Sequence, residues 1–454
     1  MIDRDEILNR ARDLSVQPSY VQRDYVFGWL LAGLYSASRL GEVLVLKGGN
    51  CFRKAYFEHA RYSRDLDFAA TSALTGDTIS AELLRIIDFV QAHSGVQFDR
   101  DRTRVQSKRS IDSSKQAQEA RLYFRDFFGA EGEVIVSVQM DVTTNERIYL
   151  PIQTRDLIHQ YSDQSKVCAQ VRCIQLEEML ASKLKCLLQR RHAADLYDFV
   201  NATLLNPFAT LNQKQLVEAF LKMTIFSSGP GVVVDLLTGL PFSTIEELWK
   251  KYLMLPRAAA IPFVRAVEHF KFSTTTLFGS LPRGDSEFAF FPSHVRNPIM
   301  DAAQSKTLLK IVYEGAAREV EPYSLQYKTR KDGVAREYLY VYDRTGGHSG
   351  PGVKSLVRHN LQQIAITDIR FEPRFEVELS KAGEPAAVPY FPGRRRVLRG
   401  LPTLRQGLQR RSGKYRVQCP ICGKWFTRAT PTTHLNPHKD RYGNRCGGRW
   451  GLRG

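Results

Sequence analysis

Three short stretches between residues 43 and 68 constrain this chain more than any other feature. Val43 to Leu46 is an apolar run of strand type. Gly48-Gly49 follows as a tight turn, and Asn50 is placed to cap a helix running to about Phe57. Tyr62-Ser63-Arg64-Asp65-Leu66-Asp67-Phe68 then alternates, which sets Asp65 and Asp67 on one face of a strand and Leu66 and Phe68 on the other. Glu133 to Val142 alternates as a further strand with Asp141 near its end, while Leu176 to Leu188 and Ala193 to Thr203 read as helices. Residues 1–275 alternate helical and strand patterns throughout, an α/β (α+β) arrangement.

Carboxylates at i and i+2 on a strand point the same way and can jointly hold a hard cation such as Mg2+, which prefers oxygen ligands. Asp141, at the end of the apolar strand VIVSVQMD, is suited to be the third. Two metals held in this way would activate an attacking hydroxyl and stabilise a leaving pyrophosphate. The Gly48-Gly49 turn would bring backbone N–H groups close to triphosphate oxygens. A lone DxD or a lone diglycine says little. The ordered set of strand, diglycine, helix, S-x-D-x-D and distant strand Asp matches the nucleotidyltransferase fold.

The segment VLKGGNCFRKAYFEHARYSRDLDFA resembles the signature of the AbiEii-type nucleotidyltransferase toxins, in which a GG-T-A-L-R block precedes R-F-S-x-D-L-D-F. A later block, LEEMLASKLKCLLQRRHAADLYDF, is also similar and contributes Glu178, Lys183, Asp195 and Asp198. The resemblance covers roughly residues 20–275. Asn50 stands where the family commonly has Thr, and Ala194 where it usually has Arg. It implies a nucleotidyltransferase-fold domain with a helical extension that transfers a nucleotide from an NTP to an acceptor. Asp65, Asp67 and Asp141 are then the expected Mg2+ ligands. Lys183 and Asp195 complete the expected catalytic set, and Gly48, Gly49, Arg53 and Ser63 are expected at the nucleotide. Some relatives modify the 3′ end of tRNA, and such toxins are usually paired with an antitoxin protein and often serve phage defence.

Residues 297–378 are rich in β-branched and aromatic residues. Leu308–Tyr313, Ala317–Pro322, Glu337–Asp343 and Ile364–Phe375 read as strands punctuated by glycines. The segment resembles a WYL domain, a small SH3-like β-barrel, with Glu337-Tyr338-Leu339 in place of the tripeptide that gives that domain its name. Tyr338, Arg358 and His359 are its candidate nucleic-acid contacts. Residues 379–413 carry Pro, Gly and Arg runs and read as a basic linker.

Residues 414–454 read as a zinc-binding module. Cys419-Pro-Ile-Cys422 is followed by His434, His438 and Cys446, five candidates for four places. One set takes both histidines. The other, favoured by the similarity of LNPHKDRYGNRCGG to small bacterial zinc modules, is Cys419, Cys422, His438 and Cys446. Structural Zn2+ would stabilise a piece too small to fold on a core alone.

The net charge is +18, and residues 391–454 hold sixteen Lys or Arg against a single Asp, so +15 of it sits in the tail. Such a block favours a phosphate-rich partner. Arg416, Lys424 and Trp425 combine salt-dependent phosphate attraction with a ring that can stack on unpaired bases. RNA, tRNA above all, is favoured over DNA as acceptor on the family resemblance, since charge alone fits both. The charged start MIDRDEILNR reads as a helix, and the apolar run near Tyr25–Tyr35 is about 11 residues against the roughly 20 of a membrane span, so a cytoplasmic protein is expected. The competing reading is a DNA-binding regulator whose transferase domain senses nucleotide or is inactive. A transferase with a protein acceptor is a third.

Overall fold

Asp3 accepts the Glu6 N–H at 2.7 Å and so caps α1 (Arg4–Asp13). Pro18 opens α2 (Pro18–Ala37), where a fixed φ and a missing N–H cost nothing in the first turn. Apart from Gln22, Arg23 and Asp24, helix α2 is largely apolar, and it is buried along most of its length. The computed structural model describes residues 2–108, 110–112, 116–125, 135–144, 146–206, 211–224, 229–283, 290–329, 335–379, 415–428, 434–440, 442–448, 450 and 452–453. They fall into two compact units, within residues 1–392 and 393–454.

A short helix, α3 (Leu40–Val43), leads into β1 (Leu44–Lys47), and the diglycine begins α4 (Gly48–Cys51), whose continuation Phe52–Tyr56 widens into a π-turn. Next come β2 (Asp65–Ala70) and α5 (Gly76–Ser94), the latter capped by Thr75 and stopped by Gly95 at φ +75°. Strands β3 (Arg104–Lys108), β4 (Gln116–Arg125), β5 (Ile135–Thr144), β6 (Gln153–Asp156) and β7 (Gln170–Cys173) complete a seven-stranded mixed sheet in the order β3-β4-β5-β2-β1-β7-β6. Strand β2 runs parallel to β5 and antiparallel to β1. Leu66 and Phe68 point into the core as their alternation requires.

Helices α6 (Leu176–Gln189), α7 (Ala193–Val200), α8 (Gln213–Thr224), α9 (Val232–Thr238), α10 (Phe242–Tyr252) and α11 (Phe263–Phe278) share one hydrophobic core with this sheet. Among the described residues no helix is long and apolar enough to cross a membrane.

A second core belongs to α12 (Ser293–Ser305) and a five-stranded antiparallel sheet. Its strands are β8 (Thr307–Tyr313), β9 (Ala316–Thr329), β10 (Ala335–Asp343), β11 (Gly352–Val357) and β12 (Leu361–Arg370), in the order β11-β10-β9-β8-β12. Two expectations change here. Strand β11 was not anticipated, because Gly352 and Lys354 dilute its apolar pattern. The expected strand Ile364–Phe375 ends at Arg370, two residues before the Glu372-Pro373 step, where proline disfavours continued pairing. The two cores are joined by buried polar links. Arg296 pairs with Glu337 at 2.8 Å and donates to the Leu188 carbonyl at 2.8 Å, and Gln189 donates to the Leu325 carbonyl at 2.7 Å.

The second unit has a three-stranded sheet of β13 (Tyr415–Gln418), β14 (Trp425–Arg428) and β17 (Leu452–Arg453), and a two-stranded one of β15 (His438–Lys439) and β16 (Arg445–Cys446). Its small core is Val417, Cys419, Leu435 and Cys446. The expected linker 379–413 lies outside the described residues apart from Leu379, and so does the start of the strand expected from Glu133.

Candidate active site and a Cys/His cluster

Register builds the first site. Lys47 pairs with Asp67 across β1 and β2, Asp67 with Asp141 across β2 and β5, and Asp141 with Glu119 across β5 and β4. Residues opposite one another on neighbouring strands share a face, so these four stand in one row, with Asp65 beside them by the two-residue period. Carboxylate oxygens of Asp65, Asp67 and Asp141 all lie within 4.8 Å of one another.

Three carboxylates this close resist ionisation together. Burial first, then the charges of Asp65 and Asp141, push Asp67 up to about 7, although Lys47 and Lys183 pull it down. Burial also raises Asp141 against the opposing pull of Lys108. The Lys108 ammonium group lies 2.8 Å from Asp141 Oδ1 and 3.4 Å from Glu119 Oε2, and Gln139 Nε2 donates to both Asp141 oxygens at 3.2 and 3.0 Å. Lys47 is ion-paired with Glu146.

The diglycine is packed against this patch. Gly48 has φ +71°, a conformation that side chains rarely adopt, and a Cβ there would overlap Asp67 Oδ2. A Cβ on Gly49 would press on the Arg61 guanidinium and on Ser63 Oγ. Ser63 donates to Asp65 Oδ1 at 3.0 Å. Asn50 does not cap a helix: it lies within α4, and its side chain donates to the Asp65 carbonyl at 2.6 Å, fixing β2 to the glycine turn.

Lys183 and Asp195 sit in a buried ionic cluster on α6 and α7. Lys183 Nζ lies 2.9 Å from Asp195 Oδ1 and 2.8 Å from Asp198 Oδ2. Asp198 also receives the Arg61 fork at 2.7 and 2.9 Å, and Asp195 receives Arg190 at 2.9 and 3.2 Å. Arg190 thus supplies a guanidinium partner for Asp195 although Ala194 stands where the family usually has Arg. Burial disfavours the Asp195 charge, but Arg190 and Lys183 outweigh it and hold its pKa far below the usual carboxylate range. Glu178 is structural, accepting from the backbone N–H groups of Tyr149 and Leu150.

Arg53, expected at the nucleotide, is engaged by the protein itself. Its guanidinium is buried, pairs with Asp24 at 2.7 Å, donates to the carbonyls of Glu58 and Ala60 at 3.2 and 2.8 Å, and stacks over Tyr62. With Nε on Asp24 and Nη1 on the loop 57–61, it ties α2 to that loop and shapes the approach to β2.

The residues missed by sequence reasoning are Lys47, Lys108, Glu119, Arg61 and Arg190. Arg61 and Arg190 lie inside the quoted family blocks. Lys108 and Glu119 carry no local signal, because only the pairing of β3 and β4 beside β5 brings them to Asp141.

In the second unit, Cys419, Cys422, His438 and Cys446 offer ligand atoms within 4.8 Å of one another. Cys419 Sγ is 3.7 Å from Cys446 Sγ, and Cys422 Sγ is 3.4 Å from His438 Nε2. His438 Nδ1 bonds the Asn436 carbonyl at 2.9 Å, which turns Nε2 toward the sulfurs. Burial opposes a Cys419 thiolate, but the backbone N–H groups of Cys422 and Ile421 and the His438 side chain bring its pKa down to about 6. A Cβ on Gly448 would overlap Cys419 Sγ. Of the two ligand sets, the structure assembles the one with Cys446; His434 lies outside it, edge-on to Trp450 at 5.2 Å. The donor sets suit different ions: oxygen ligands a hard divalent cation, and thiolates with imidazole zinc.

The remaining candidates are spread over both units. Tyr338 pairs with Val357, next to Arg358 and the exposed His359; Arg358 donates to the Leu361 carbonyl. Arg416 lies over the exposed Trp425 ring at 4.9 Å, and Lys424 Nζ reaches the Lys439 carbonyl at 3.3 Å.

Comparison with known proteins agrees with this geometry. No curated protein sequence matches the chain. Among solved structures, MenT4, a nucleotidyltransferase toxin from Mycobacterium tuberculosis H37Rv, aligns at 16% identity and a TM-score of 0.35, covering 61% of this chain and 97% of that one, a likeness too loose to add weight. Residues 29–267 match the family described as Nucleotidyl transferase AbiEii toxin, Type IV TA system. That match spans more than half of the 454 residues and includes the carboxylate triad, the diglycine and the α6–α7 ionic cluster, and the chain therefore belongs to the AbiEii nucleotidyltransferase toxin family and is a nucleotidyltransferase.

Proposed function

We propose that the chain transfers a nucleotide from an NTP to the 3′ end of an RNA, tRNA foremost, and acts as a toxin or phage-defence effector held in check by an antitoxin protein. The observation that supports this most is the row Lys47, Asp67, Asp141 and Glu119 with Asp65 alongside, set against a glycine turn that leaves room for nothing larger. Asp65, Asp67 and Asp141 would hold Mg2+, which when bound supplies charge stabilisation for the attacking oxygen and the leaving pyrophosphate.

The protein's own groups prepare the site for those charges. Gly48 and Gly49, lacking side chains, let phosphate oxygens approach the backbone. Ser63 fixes the rotamer of Asp65 through its 3.0 Å hydrogen bond. Arg61, Lys183 and Arg190 outnumber Asp195 and Asp198 by one positive charge, directly behind the glycine turn where the triphosphate would lie. Lys183 acts within that cluster, since both its short contacts go to carboxylates.

Residues 297–378 serve, in this reading, as a WYL-like barrel, with Tyr338, Arg358 and His359 toward nucleic acid. Cys419, Cys422, His438 and Cys446 bind a structural Zn2+, and Arg416, Lys424 and Trp425 contact the acceptor by charge and stacking. The test is incorporation of each α-labelled NTP, with Mg2+, into total tRNA, total RNA and protein, with Asp65→Ala as control. Label in RNA that disappears in the variant is expected. Label in protein would reassign the acceptor. No label anywhere, with tight duplex DNA binding instead, would turn the assignment to a regulator with an inactive transferase domain.

A further inference from the structure

Among the described residues three lysines lie around the carboxylate triad, Lys47, Lys108 and Lys183, and two of them are committed elsewhere. Lys47 is ion-paired with Glu146, and Lys183 is held between Asp195 and Asp198. Lys108 is different: its Nζ sits 2.8 Å from Asp141 Oδ1, on the carboxylate that completes the triad. A lysine ammonium and a divalent cation at the same carboxylate oxygen repel one another, so each weakens the other's hold on it.

The surroundings of Lys108 provide a second seat. Glu119 Oε2 is already 3.4 Å from Nζ, and Arg121 holds Glu119 in place at 2.5 Å. Lys108 and Glu119 also line one wall of a cleft of about 390 Å³, with Arg374, Phe375 and Glu376 on the other. A flexible four-carbon side chain at the edge of a cleft can move its head group by a bond rotation, without backbone change.

We propose that Lys108 is the resident counter-ion of the triad: it occupies Asp141 until a divalent metal displaces its ammonium group onto Glu119 at the cleft wall, and so sets the metal affinity of the site. This rests on the reading of Asp65, Asp67 and Asp141 as a metal site. It makes Lys108 a positioning residue whose removal strengthens metal binding, whereas removal of an ordinary contributor weakens it.

The experiment is titration of the full chain with Mn2+, free ion being followed by electron paramagnetic resonance, and circular dichroism confirming that each variant is folded. Binding that Asp65→Ala abolishes defines the triad component. Lys108→Met is expected to tighten that component about tenfold, since it removes a full competing charge, while Lys108→Arg, which keeps the charge, leaves it at or below the wild-type affinity. Glu119→Gln is expected to weaken binding about threefold in the wild-type background by removing the second seat, and to have little effect in Lys108→Met. Equal or weaker binding by folded Lys108→Met overturns the proposal. So does a Glu119→Gln effect of the same size in both backgrounds, which would mark a direct charge effect. If neither wild type nor Lys108→Met shows any Asp65-dependent binding, the metal reading of the triad itself fails.

Discussion

Asp67 and Asp141 are register partners on two neighbouring parallel strands, although 74 positions separate them in the chain. The pairing turns two unremarkable strand residues into a site. It also forces two carboxylates into one another's field, with Asp65 adding a third.

The first prediction follows from that crowding. Asp67 has its pKa raised to about 7 in the folded chain, chiefly by burial and then by Asp65 and Asp141, against an ordinary value near 3.8. Between those two values the metal-free native state binds more protons than the unfolded state, so this contribution to stability is present at low pH and is lost as pH rises through about 7. Metal-free thermal melts of wild type and Asp67→Asn at pH 5 and 7.5 should show the variant gaining relative stability at the higher pH. A difference independent of pH would contradict this origin.

Gly48 is the second point of test. Ala at this position must adopt φ +71° and place its Cβ on Asp67 Oδ2. Gly48→Ala is expected to cost about 1–3 kcal/mol of stability and to lower transfer by about 100-fold, a loss of about 3 kcal/mol in transition-state stabilisation. Both the melting temperature and kcat/KM for the NTP should fall; unchanged kcat/KM would mean that the turn is not part of the site.

Arg53 offers a contrast. Its buried pair with Asp24 makes it a structural residue, so Arg53→Ala should destabilise the fold by about 1–3 kcal/mol, because the carbonyls of Glu58 and Ala60 lose their donor and Asp24 keeps Lys54 as its cationic partner. The fraction that remains folded should bind NTP with the wild-type dissociation constant. A stable Arg53→Ala protein with weakened nucleotide binding would restore the role that the family motif implied.

For the Cys/His cluster, elemental analysis should find one zinc per chain, lost on Cys422→Ser. Stripping the metal with a strong chelator is expected to abolish the tertiary structure of residues 415–453, because their core of four small or medium side chains cannot offset the entropy of ordering the segment. Full retention of that structure in metal-free protein would show the cluster to be dispensable.

The sequence by itself determined the local parts of this protein. The alternation of Asp65, Leu66, Asp67 and Phe68 decided which carboxylates face out, the diglycine marked the turn, and the spacing of two cysteines announced the knuckle of the second unit. These are readable because side-chain direction repeats every two residues in a strand and because special backbone conformations demand special residues. Tertiary structure decided the rest. Strand order put Lys108 and Glu119 next to Asp141, packing gave Arg53 to Asp24, and the pairing of β15 with β16 set Cys446, not His434, beside His438 and the two cysteines of the second cluster. None of these leaves a local trace, since each is a contact between residues far apart in the chain, fixed by sheet register and by the need of every buried charge to find a partner.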